Sequence, residues 1–141
     1  MKGQAAAEFV FVTGAVVMIV AVVALVGLRE SELSVGLASA RLAASNFSAQ
    51  NPEFKLSYVN YSVDDGLRRV LVRPKFHYFA IGALGVDSAN ASVVNGAIWA
   101  LGHSFHPASA GQFTVGNCVR ASYYEYCVAP CFGGLAAECN A

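Results

Sequence analysis

Four cysteines, three histidines, three Asn-x-Ser triplets and a glutamate at the lip of an apolar run are the residues whose types and spacing could do chemistry. Cys118, Cys127, Cys131 and Cys139 all fall within the last 24 residues. An even number of cysteines crowded into one tail points to two disulfides, stapling a segment too small and glycine-rich (Gly133, Gly134) to hold itself by burial. Three pairings are possible and the spacing does not choose among them. Metal is the rival reading. Cys127 and Cys131 have three residues between them, not the two of a tight zinc knuckle, and no histidine stands at ligand spacing nearby. No Cys-x-x-Cys-His for covalent haem occurs, so neither a metal nor a cofactor is expected. His77, His103 and His106 have no nucleophile to serve: Gly-x-Ser-x-Gly, a phosphate loop and paired carboxylates are all missing. His103-Ser104-Phe105-His106 reads as a loop of surface or packing histidines. No catalytic residue is assigned and an enzyme is not expected.

Asn46-Phe47-Ser48, Asn60-Tyr61-Ser62 and Asn90-Ala91-Ser92 are N-glycosylation sequons, each weak alone and stronger on an exposed extracellular chain. Asn60 qualifies only if its side of a strand faces solvent.

Glu8 stands where Met1-Lys2-Gly3-Gln4-Ala5-Ala6-Ala7 meets an uncharged run from Phe9 to Leu28 whose single hydroxyl is Thr13. As a helix this run spans roughly 30 Å, the thickness of a bilayer hydrocarbon core. It has no polar face, unlike the amphipathic helix of a soluble core. A carboxylate at the edge of such a run seeks a positive partner or a proton. Ala7, Gly14 and Ala21 recur at seven-residue spacing, a small-residue stripe that lets helix backbones approach closely. A secretory signal has its cleavage site after the apolar region; here the small residue Gly3 precedes it, and a cut there leaves the apolar helix on the mature chain.

Lys2-Gly3-Gln4-Ala5-Ala6-Ala7-Glu8-Phe9 resembles the class III signal peptide of archaeal type IV pilins, and its Gly-Gln-Ala-Ala-x-Glu-Phe pattern also resembles TadE-like pseudopilins. The resemblance covers about the first fifth of the chain. It implies cleavage between Gly3 and Gln4 by a prepilin peptidase, leaving Glu8 as the fifth mature residue. Ala6 departs from the serine most common in the family. The resemblance further implies self-assembly into a helical homopolymer, driven by an assembly ATPase and its membrane platform. Glu8 would set the register against the freed amine of a neighbour's Gln4.

Composition agrees with a membrane-inserted or assembling chain: 56% of the 141 residues are hydrophobic, and mean hydropathy is +0.50. Net charge is zero, with nine basic and nine acidic residues. Loss of Lys2 leaves 9 − 1 = 8 positive against 9 negative. No nucleic-acid partner is indicated. Arg68, Arg69, Arg73 and Lys75, preceded by Asp64 and Asp65, read as a solvated hairpin face.

The expected fold class is α+β: a long N-terminal hydrophobic α-helix followed by a small antiparallel β-rich globular domain, pilin-like. The domains are a leader at 1–3, an assembly or transmembrane helix at 4–50 and a β-rich domain at 51–141. Leu33, Leu37, Ala40, Ala44 and Phe47 recur at helical steps, so helix continues beyond the apolar run with one side needing cover from the chain's own C-terminal part. Gly36 is its weak point and Asn51-Pro52 its end. Phe54, Leu56 and Tyr58, then Asp64-Asp65-Gly66, then Val70 and Val72 read as a hairpin. Pro74 suggests an edge or a bulge. Ser92 to Leu101 is ambiguous between helix and strand, and Phe113 to Tyr126 suggests further strands. The expected role is a structural subunit of an archaeal cell-surface, type IV pilus-like filament serving adhesion: membrane-bound as precursor, extracellular once assembled. The rivals are a monomeric membrane-anchored surface domain that binds a ligand or partner, and a minor pseudopilin.

Overall fold

A computed structural model describes residues 2–79 and 85–133, with the side chains of 2–7 and 110 left aside. The chain forms two compact units, Met1–Glu32 and Leu33–Ala141. Helix α1 runs over Lys2–Gln50 and contributes to both. The first unit is helix alone among its described residues.

The second unit is an α+β domain, as the sequence predicts. After α1 come β1 (Phe54–Asp64), β2 (Arg69–Tyr78), α2 (Val86–Phe105), a 3-10 turn (Ala110–Phe113), β3 (Thr114–Val115), β4 (Cys118–Arg120), β5 (Glu125–Val128) and β6 (Cys131–Phe132). The sheet order is β1-β2-β5-β4-β3, with β6 also on β2. It is mixed and not purely antiparallel, because β2 takes both β5 and β6 in parallel. The crossover that parallel pairing demands is supplied by the long connection through α2.

Helix α2 resolves the ambiguity over Ser92–Leu101. Ala89, Val93, Ala97 and Leu101 are buried and stand about one turn apart along one side of the helix. Asp87 in the first turn suits the helix dipole. The helix ends at His106, whose N–H returns to Gly102 O (2.7 Å), and Pro107 follows.

Two apolar clusters make the core. Ala40 of α1 meets Val70, Val72, Val119, Tyr126 and Val128 of the sheet and Ala97 and Leu101 of α2. Ala44 and Phe47 meet Phe54, Phe76, Ala89 and Val93. Rings dominate the second cluster: Phe47 packs edge-on to Phe76 (5.4 Å between centroids), and Phe132 stacks on Phe76 (5.2 Å). The side of α1 that needed cover is therefore covered, as its periodicity predicts.

Local departures from the expected pattern have long-range causes. A β-bulge between Leu56 and Tyr58 shifts the register, so Val59 takes the inward position and Tyr58 turns out to solvent. Pro74 lies in the middle of the sheet, not at its edge. Val72 O and Phe76 O accept from Ala129 N and Gly133 N on the β5/β6 side, and position 74 is in phase with both. The N–H that proline lacks would point to the gap between β5 and β6, at Ala129-Pro130, so no ladder bond is lost. Gly36, a weak point for helix propensity, is where the Tyr126 ring lies against α1: a Cβ there would stand 2.4 Å from Tyr126 Cε1.

Candidate functional site

The first unit carries the most unusual surface. Fourteen large apolar side chains between Phe9 and Leu28 are 54–81% exposed. Thr13 donates its hydroxyl to Phe9 O (2.8 Å), so the one hydroxyl of the run is satisfied within the helix and leaves no polar interruption. Glu8, at the lip, is exposed. Helical geometry puts Gly14 and Ala21 on one stripe with a drift of about 20° per seven residues. A Cβ added at Gly14 or Gly27 meets nothing within 4 Å, so both glycines open the helix surface to close approach from outside. Ala7, like Gly3 and Gln4 at the expected cleavage site, lies in α1 but among the side chains not described. The helix is long and apolar enough to cross a membrane.

Burying each large apolar side chain is worth about 1.5–3 kcal/mol, so fourteen of them bring tens of kcal/mol of unmet burial. That exceeds the whole stability of an ordinary domain, about 5–15 kcal/mol. A surface of this kind must be covered by lipid or by protein.

In the second unit the cysteines begin to resolve. Cys118 and Cys127 are direct partners across β4 and β5 and form a disulfide, with Cα atoms 4.0 Å apart. Of the three possible pairings this selects one. Cys131 is also disulfide-bonded, and Cys139 lies outside the described residues. Cys118, Cys127 and Glu125 cluster closely enough to suggest a metal centre. Both sulfurs are spent on each other, however, and Glu125 receives Arg69 through Nε (3.0 Å) and a terminal nitrogen (2.8 Å). This cluster is a staple beside an ion pair.

The histidines are surface or packing residues. His103, on α2 and not in a loop, stacks on Trp99 (4.1 Å) with Nδ1 3.0 Å from Trp99 O. His106 stacks on Phe113 (3.8 Å), and its Nε2 lies 2.8 Å from Arg120 O. His77 is exposed on β2. The structure does not gather the three. Within the basic cluster, Arg69 is paired to Glu125, Arg68 sits in the hairpin turn with φ 50°, and Lys75 lies over Tyr58 (5.3 Å to the ring centroid). This matches a solvated hairpin face.

All three sequon asparagines are exposed: Asn46 on α1, Asn60 on the outward side of β1 and Asn90 on α2. Sequence reasoning passed over one feature, the single tryptophan. Trp99 is 64% exposed, beside a groove between α1 and α2 that also exposes Leu42. The only signal for it in the sequence was its rarity.

Comparison with protein-family models, curated proteins and solved structures finds no match to this chain.

Proposed function

We propose that the chain is a structural subunit of a cell-surface filament of the type IV pilus kind, held in the membrane as a precursor and polymerised through residues 9–28. One observation carries this reading: a run of twenty residues, apolar on every side and exposed, belongs to a chain whose second unit already buries its own core. Before assembly, lipid covers the run. After removal of residues 1–3 and extraction, equivalent runs of neighbouring subunits cover it. Contacts between non-equivalent faces propagate as a fibre where the rotation between subunits does not close into a ring. The stripe of Ala7, Gly14 and Ala21 is where helix axes come closest. Glu8 acts as the register device, because a carboxylate drawn among apolar helices stays charged only beside a positive group, which the freed amine of Gln4 on a neighbour supplies. The glycan-bearing, disulfide-stapled second unit forms the outer surface and makes the adhesive contacts.

The motif around Gly3 and Glu8 supports placement among archaeal pilins, with a prepilin peptidase and an assembly ATPase as partners. A single-pass anchor carrying a monomeric surface domain is the second reading, favoured by the match between the run's length and one hydrocarbon core. N-terminal mass of the protein isolated from the cell surface separates them. A chain starting at Gln4 supports the filament; a chain starting at Met1, monomeric in detergent, supports the anchor. In the filament reading, Glu8→Ala lowers filament yield by tenfold or so, since losing a buried charge pair costs about 1.4 kcal/mol or more per contact, while membrane insertion is unchanged. Normal filament numbers by electron microscopy would overturn the role of Glu8.

A further inference from the structure

The groove between the C-terminal turns of α1 and the outer side of α2 has a volume of about 450 Å³, within the range of small-ligand sites. Its walls are mixed in a particular way. Trp99 and Leu42, 64% and 62% exposed, offer flat and aliphatic apolar surface. Asn46, Gln50 and Ser92 offer two amides and a hydroxyl. At Gly96 a Cβ would meet nothing within 4 Å, so space is open along α2 one turn before Trp99. His103 backs the indole by stacking on it, which holds the ring in place. An apolar plate beside planar amides and a hydroxyl matches a sugar ring, which has a C–H face and a rim of hydroxyls. An apolar partner helix would leave the amides and hydroxyl without bonding partners.

A sugar source lies on the groove wall. Asn46 is exposed, lines the groove and heads the sequon Asn46-Phe47-Ser48. The other sequon asparagines do not line it: Asn60 lies on β1 with Oδ1 accepting from Tyr61 N (2.9 Å), and Asn90 sits outside the groove. We propose that Asn46 carries an N-linked glycan whose proximal sugars lie in the α1–α2 groove against Trp99. In the transfer step, Asn46 Nδ2 bonds to the anomeric carbon of a lipid-linked saccharide phosphate. The C–O bond to the phosphate breaks, the phosphate leaves with the electron pair, and the amide loses one proton. In the folded unit the Ser48 hydroxyl is engaged twice, donating to Phe54 O (2.8 Å) and accepting from Leu56 N (3.1 Å). Transfer therefore precedes the docking of β1 on α1. The proposal holds for monomer and filament alike.

Trp99 is the only tryptophan, so its fluorescence reports on this groove alone. The test uses full-length protein purified from its own cells as detergent-solubilised monomer. Peptide mass is expected to place a saccharide on Asn46. Asn46→Gln is expected to shift Trp99 emission to longer wavelength and to raise acrylamide quenching roughly twofold, as the loss of a sugar covering the ring requires. Asn60→Gln and Asn90→Gln are expected to leave the emission unchanged. Trp99→Phe is expected to keep the mass on Asn46, which separates attachment from packing. Three results would overturn the proposal: an unmodified Asn46, a modified Asn46 whose removal leaves quenching unchanged, or Trp99 protected only after polymerisation regardless of the glycan.

Discussion

Between Phe9 and Leu28, α1 is apolar on every side, and its large side chains stand exposed. Between Leu33 and Phe47 the same helix is apolar on one side only, and Ala40, Ala44 and Phe47 are buried against the sheet and α2. The backbone is the same; what differs is the number of apolar sides. A one-sided helix can be satisfied by its own domain. An all-round apolar helix cannot, because a domain packed on one side of a helix leaves its other sides bare. The glycines sharpen the contrast. Gly36 is a glycine because the Tyr126 ring occupies the place of a side chain, whereas Gly14 and Gly27 face open space and await something outside.

The largest expected effect that separates the two regions is Phe76→Ala. It removes the ring between Phe47 and Phe132 and should cost about 3–5 kcal/mol. Thermal unfolding followed by near-ultraviolet circular dichroism should show the second unit melting far earlier, while the protein still sediments with membranes. The converse is Val17→Asp, near the middle of the apolar run, which should oppose insertion by about 2.5–3.5 kcal/mol. The membrane-bound fraction should drop with the melting of the second unit unchanged. If Val17→Asp also destabilised the sheet domain, the separation drawn above would fail.

Replacing Cys118 and Cys127 together by serine opens a short loop, nine residues in sequence separation, and should cost about 2–3 kcal/mol in denaturant unfolding. Membrane association should not respond. The smallest effect is the most pointed. Gly36→Ala forces a Cβ into the buried Tyr126 ring and should destabilise by about 1–3 kcal/mol. Gly14→Ala, the same change with nothing nearby, should be neutral or raise helicity by up to about 1 kcal/mol. In the filament reading Gly14→Ala should nevertheless weaken assembly, since it thickens the stripe where helices meet. Equal signs for the two substitutions in monomer melting would contradict the difference inferred between the regions.

Much of this was legible in the residues in order. The run from Phe9 to Leu28 and the stripe Leu33, Leu37, Ala40, Ala44 and Phe47 follow from periodicity, because a helix reports its surroundings every three or four residues. The hairpin followed from alternation and the Asp64-Asp65-Gly66 turn, and the disulfide-bonded tail from the crowding of cysteines. These are local properties that any chain segment displays wherever it is placed.

Other features exist only between distant segments. The bulge that turns Tyr58 outward, the parallel seat of β5 on β2, the gap that accepts Pro74, the choice of Cys127 as partner of Cys118, and the ring that requires Gly36 each depend on a neighbour dozens of residues away or on a choice among equivalent partners. The Trp99 groove is of the same kind, since neither wall implies the other. By itself the sequence determined that one part of this chain must be covered by something outside it and that another part covers itself. The tertiary structure alone decided which strands, sulfurs and rings do the covering, because pairing energy depends on which segments the fold brings together, and periodicity is blind to that.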